Sequence, residues 1–219
     1  MDKFLHTIAN QLKNQEERMI VGISGHGASG KTTFAKRLLR LLGEANYINT
    51  DPYIVSSSVR KHSFIEYVYE NEMHQSKMTA CHPDAHHLFS LDRDVRMVRE
   101  GMDFYTLDVP YEPSRLISSR KKLTIVEGMS VAFSKPNLYD LKIYFYTDGE
   151  TELKRRGIRD VNERGMEVDY LRKTHDERRI QYEVFMHPKS ELFDVVVRNT
   201  DEGYWVEKEL KEEGKGNSY

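Results

Sequence analysis

The chain has 219 residues, 38% hydrophobic and 31% charged, which suits one folded domain with a sizeable core. Lysine plus arginine, 33, almost balances aspartate plus glutamate, 35, and a net charge of -2 gives no electrostatic reason to expect a nucleic-acid partner. The single cysteine, Cys81, excludes an internal disulfide framework, and the opening MDKFLHTIANQLKNQ lacks a continuous apolar run. Neither a secretory leader nor a membrane span is expected, and the cytoplasm is the default compartment.

In chain order, Phe4, Leu5, Ile8 and Leu12 fall at helical spacing, and the apolar run Met19 to Ile23 predicts a buried strand. Lys31 to Leu42 carries Phe34, Ala35, Leu38, Leu39 and Leu42 on one face and stops at Gly43, which predicts a helix. ANYINTD reads as a second strand. HPDAHHLFSLDRDVRMVREG places Pro83 and Asp84 in a first helical turn, sets Leu88, Leu91, Val95 and Val98 on one face, and ends at Gly101. Strands are expected at KLTIVEG, LKIYFYTD and FDVVVRN. The alternation predicts an α/β fold, a parallel sheet with helices on both faces. The charged segment from about Thr151 to Tyr170 is too polar for the core and reads as a small projecting helical lid. A helix starting near Val168 is expected to end at His187-Pro188, and EKELKEEGKGNSY to form a last helix fraying into a disordered tail.

The run Gly25-His26-Gly27-Ala28-Ser29-Gly30-Lys31-Thr32 fits Gly-x4-Gly-Lys-Ser/Thr between a strand and a helix. That pattern calls for a nucleoside triphosphate. The glycines allow the amides to face the phosphates, and the positive end of the next helix stands behind them. Lys31 is expected on the β and γ phosphates, Thr32 on Mg²⁺, and Thr33 beside them. The bland alternative is a glycine-rich turn without a ligand.

Two carboxylates end strands on the same edge. Asp51 follows the second strand, expected beside the first, and can take the proton of an acceptor hydroxyl; otherwise it caps the turn before Pro52. Glu127 closes LTIVEG and can hold magnesium with Thr32 and Asp51, or else faces solvent. Arg155, Arg156 and Arg159 lie within a helical turn of one another and suit the charge of a transferring phosphoryl group, unless they form a solvated face laced by Asp160 and Glu163. No Asn-Lys-x-Asp guanine-reading motif occurs, which argues against a GTPase. Cys81, His82, His86 and His87 could be drawn as a metal site, against a reading as helix-start chemistry and pocket polarity.

The order GISGHGASGKTT, TDPY, HPDA, VEG and RRGIRDVNERG resembles the uridine kinase and phosphoribulokinase family of P-loop kinases over nearly the whole chain. The resemblance implies Asp51 as general base, Glu127 as an aid to magnesium, and Arg156, Arg159 and Arg164 as lid residues over the phosphates. The expected activity is uridine kinase-like transfer of the γ-phosphoryl group of ATP, with Mg²⁺, to a hydroxyl of a small molecule of nucleoside or sugar-phosphate type. A true uridine or cytidine kinase, and a P-loop hydrolase or regulatory nucleotide-binding protein without an acceptor, stand as alternatives. Oligomeric state is left open. Where uridine kinases have an Asn-Phe-Asp triplet before His-Pro-Asp-Ala, this chain has Thr79, Ala80 and Cys81. The arginine expected after ERG is Met166, an expected glutamine is Thr174, and Tyr-Asp-Phe has become Tyr111, Glu112 and Pro113. These departures predict poor use of uridine.

Overall fold

The computed structural model describes residues 1–158 and 168–209. The elements run α1 (Asp2–Lys13), β1 (Met19–Gly25), α2 (Lys31–Leu42), β2 (Ala45–Asn49), α3 (Ser57–Arg60), β3 (Phe64–Tyr69), β4 (Glu72–Lys77) and α4 (Leu88–Arg99). They continue with β5 (Phe104–Tyr105), β6 (Leu116–Ile117), β7 (Leu123–Glu127), β8 (Leu141–Tyr146), α5 (Gly149–Arg156), α6 (Val168–Gln181), β9 (Val195–Asn199) and β10 (Tyr204–Lys208).

Six strands form the central sheet in the order β10-β9-β8-β1-β7-β2, all parallel except β10, which pairs antiparallel with β9. The expected doubly covered sheet is present. Its strands read as unbroken apolar runs because both faces are buried. On one face Phe34, Ala35 and Leu38 of α2 and Leu5, Ile8 and Leu12 of α1 meet Val21, Ile23, Ile125 and Ile143. On the other, Leu91, Val95 and Val98 of α4 and Tyr182 and Met186 pack on Ile20, Ile48, Val126 and Tyr144. No helix among the described residues is long and apolar enough to cross a membrane.

The strand order corrects one expectation. β2 does not lie beside β1; β7 stands between them, with Val21 level with Ile125 and Tyr47 level with Ile125 on its other side. This puts Glu127, and not Asp51, on the strand next to the phosphate loop. A second correction concerns α4. It begins only at Leu88, because His86 is extended, bridges Ile54, and is held by Ser130 Oγ at 2.8 Å and by the Ala80 carbonyl at 3.0 Å. Third, the tail expected to be helical from Glu207 starts as the edge strand β10. Finally, the polar segment read as a projecting lid is buried at its start: Thr151, Glu152 and Arg156 lie inside the protein.

Candidate active site

β1 delivers the loop. Gly25 has φ 142°, and a Cβ there would stand 2.0 Å from the Phe145 carbonyl oxygen, so no other residue can end this strand without moving β8. Gly30, at φ 96°, is the N-cap of α2. The loop is held from behind. Asn199, at the end of β9, donates from Nδ2 to the Ser29 carbonyl at 2.8 Å, and Arg155 Nη1 donates to the carbonyls of Asn199 at 2.9 Å and Ala28 at 3.4 Å. Because a trans peptide points its N–H opposite to its C=O, fixing the Ser29 carbonyl turns the Gly30 amide toward the other side.

His26 is the loop's buried anchor. Its Nε2 accepts the Thr147 amide at 3.0 Å, which places the ring proton on Nδ1, 2.8 Å from the Gly27 carbonyl and 3.4 Å from Glu152 Oε2. Its ring packs 4.4 Å from that of Tyr182. Glu152, on α5, also faces Arg179 Nη1 at 3.5 Å and Arg156 Nη1 at 3.8 Å. Burial alone would raise its carboxyl, but the bond from His26 and the charges of Arg178 and Arg156 hold it down at about 2.

The chemistry-bearing groups meet around Glu127. Its Oε1 accepts from Thr32 Oγ1 at 2.9 Å and lies 3.8 Å from Lys31 Nζ, while its Oε2 accepts from Tyr47 Oη at 2.7 Å. Burial, then the Glu127 charge, pushes the Tyr47 phenol far up, so it stays a proton donor. Glu127 is buried, contrary to the solvent-facing alternative. Asp51 opens a short turn with Pro52, its amide donates to Asn49 Oδ1 at 3.1 Å, and the turn has no side-chain cap. The Asp51 carboxylate stays exposed and lines a cavity of about 500 Å³ with Lys31, Thr32, Thr33, Ala28, Gly30, Arg155, Asn199 and Met1. A second cavity, about 270 Å³, shares Thr32 and Asp51 and adds Glu127, Tyr47 and Arg115. Thr32 and the carboxylates are hard oxygen donors, the set that fits magnesium carried by a triphosphate.

Lys31, Thr32, Glu127 and Asp51 are thus brought together. Arg156 is not at the cavity: it is buried behind the loop, beside Glu152, and its neighbour Arg155 lines the wall. Arg159, Arg164 and Met166 lie outside the described residues. Sequence reasoning missed Asn199, Tyr47 and the pairing of His26 with Glu152; Asn199 alone carried a signal, a polar residue ending a parallel strand at the phosphate edge. Among the described residues no three His, Cys, Asp or Glu side chains group as a metal site, and His86 is engaged by Ser130 and Ala80 instead.

Cys81 is buried at 1% exposure, and burial pushes its thiol up to about 11. The buried Gln181 of α6 accepts from the Thr79 amide and hydroxyl, each at 2.8 Å, and donates to Ser76 Oγ and the Lys77 carbonyl, also at 2.8 Å. It closes the wall between the β3–β4 hairpin and α6.

Fold and loop together define a P-loop kinase architecture. The model of the phosphoribulokinase / uridine kinase family matches residues 20–203, and the chain belongs to that family. It is 29% identical over 192 residues to a uridine kinase of Borreliella burgdorferi, covering 81% of this chain and 85% of that protein. A uridine kinase of Brevibacillus brevis is 26% identical over 194 residues, 82% of this chain and 84% of the relative. Among solved structures, phosphoribulokinase from Rhodobacter spheroides superposes with a TM-score of 0.62 at 17% identity, over 84% of this chain and 71% of that one. The protein YGR205w gives 0.59 at 10% identity over 96% and 97% of the two chains.

Proposed function

We propose that this protein transfers the γ-phosphoryl group of ATP to a hydroxyl of a small molecule other than uridine or cytidine. The observation that carries the reading is the convergence of Lys31, Thr32, Glu127 and Asp51 at one phosphate edge. Loop amides and Lys31 would hold the phosphates and stabilise the charge that develops on the transferring group. Magnesium, when bound with the nucleotide, neutralises phosphate charge; Thr32 would hold it with Glu127. The Asp51 carboxylate, exposed at the cavity, would accept the acceptor's proton as the new oxygen–phosphorus bond forms. Arg159 and Arg164 would close over the phosphates from the lid.

The buried thiol of Cys81 supports excluding uridine. It stands where the family resemblance expects the carboxylate that holds the ribose hydroxyls, and a neutral thiol offers no charged acceptor. Each ribose hydroxyl left without such a partner loses roughly 1.5–3 kcal/mol, and losing both non-reacting hydroxyls cuts efficiency by roughly two to four orders of magnitude. The test is ADP release with a panel of nucleosides, sugar phosphates and other small alcohols. Release that depends on one acceptor supports the kinase. Constant release into water favours a hydrolase, and a micromolar KM for uridine with turnover above about 1 s⁻¹ overturns the exclusion of uridine.

A further inference from the structure

The family match begins at residue 20, so α1 lies outside the matched span. Its N-cap residue, Met1, nonetheless reaches the cavity. Its inward face, Leu5, Ile8, Ala9 and Leu12, is buried in the same core as Phe34 and Leu38 of α2. Its first turn is pinned by the ion pair of Asp2 with Arg37 and by Phe4, whose ring centroid lies 5.6 Å from that of Phe34 and 5.9 Å from that of Tyr204. Met1, beside these anchors, lines the 500 Å³ cavity with Ala28, Thr33, Arg155 and Asn199.

Sheet order gives these residues a side. β9, ending at Asn199, and β2, leading to Asp51, stand on opposite sides of β1, from which the phosphate loop departs. A triphosphate lying on that loop with its γ end toward Asp51 therefore runs its nucleoside end toward Asn199, Arg155 and Met1. Arg155 and Asn199 are already committed to loop carbonyls, to each other and to Asp201. They shape this end of the cavity more than they read a base.

Resting on the kinase reading above, we infer that Met1, the N-cap of α1, forms part of the wall against the purine base of the nucleotide, a base contact held in place by α1 from outside the family-matched span. A thioether is well matched to such a contact, being polarisable and adaptable and packing favourably on a flat aromatic ring.

Calorimetric titration with MgATP and with magnesium tripolyphosphate, which has the phosphates and no base, tests this. It is run on the full chain, on Phe4→Ala, and on Met1→Gly freed by cleaving a leader placed ahead of it. The expected result is that both variants lose about three- to tenfold in affinity for ATP while tripolyphosphate binding stays unchanged. Met1→Gly with unaltered ATP affinity overturns the inference. So does an equal loss for ATP and tripolyphosphate, since α1 would then only support the phosphate loop. If the unaltered chain bound neither ligand, the nucleotide reading itself would fall, a result distinct from the other two.

Discussion

Replacing Glu152 by Gln tests whether the loop is anchored through a buried charge. At 1% exposure the carboxylate faces His26, Arg156 and Arg179 within 3.8 Å. Gln keeps the shape and an oxygen that can accept the His26 Nδ1 proton, so the variant removes the charge and little else. A carboxyl held at about 2 where the ordinary value is 4.5 contributes about 3 kcal/mol at neutral pH. For a domain near this size that corresponds to a fall of about 6–12 °C in Tm. Because the folded value is depressed, the contribution is complete above about 4.5 and fades as pH falls toward 2. Denaturant unfolding of the wild type and Glu152→Gln at pH 7 and at steps down to pH 3 reads both effects. Because Gln keeps the His26 bond, about 3 kcal/mol is the upper bound of the gap between the two proteins at pH 7, and the gap should shrink steadily below pH 4.5. A gap under about 0.5 kcal/mol at pH 7, the ordinary range for an inconsequential surface change, would refute the reasoning, as would a gap that ignores pH.

Lys31→Ala should leave the unfolding midpoint nearly unchanged while lowering phosphoryl transfer on the order of a hundredfold, and a folded variant with normal turnover would remove Lys31 from the site. Asp51→Asn should depress kcat far more than ATP affinity, whereas Glu127→Gln should shift the magnesium dependence; equal losses of ATP affinity in both, with no rate defect specific to Asp51→Asn, would contradict the division of roles. Gly25→Ala should fail to fold or lose several kcal/mol, roughly 3 or more, since its Cβ meets the Phe145 carbonyl at 2.0 Å in a left-handed backbone; a Tm within about 2 °C of wild type would show that β8 can yield.

The phosphate loop, the parallel strands and the two strand-end carboxylates were legible in the sequence because each is a local pattern. Glycines at fixed spacing, apolar runs and a charge just past a run need no knowledge of neighbours. What the sequence withheld is pairwise. The strand order that inserts β7 between β1 and β2 is a property of the sheet, and no feature of ANYINTD announces it. The β3–β4 hairpin escaped notice because its alternation runs against expectation: Phe64, Val68 and Met73 face outward, while Tyr67 and Ser76 are the buried members. β10 is masked by glutamates and lysines that read as helix. His26 and Glu152 lie far apart in the chain though adjacent in the fold, and a buried polar pair leaves no periodic trace.

The geometry around Glu127 bears on how the edge can work. A hydroxyl that donates its only proton keeps its lone pairs, so Thr32 Oγ1, bonded to Glu127 Oε1, still presents oxygen to the cavity. Tyr47 fixes the other oxygen of the carboxylate, and with both oxygens engaged the group cannot swing. Glu127 therefore sets the direction of Thr32 as much as it contributes charge. Asp51 differs in every respect: exposed, two strands from β1, and with no hydrogen bond on its carboxylate among the described residues. A buried, doubly held carboxylate suits a fixed position near the phosphates, and an open one suits a proton acceptor that must meet a mobile hydroxyl. The two roles proposed above fit that contrast in environment, and the strand order, by giving Glu127 the inner place, is what creates it.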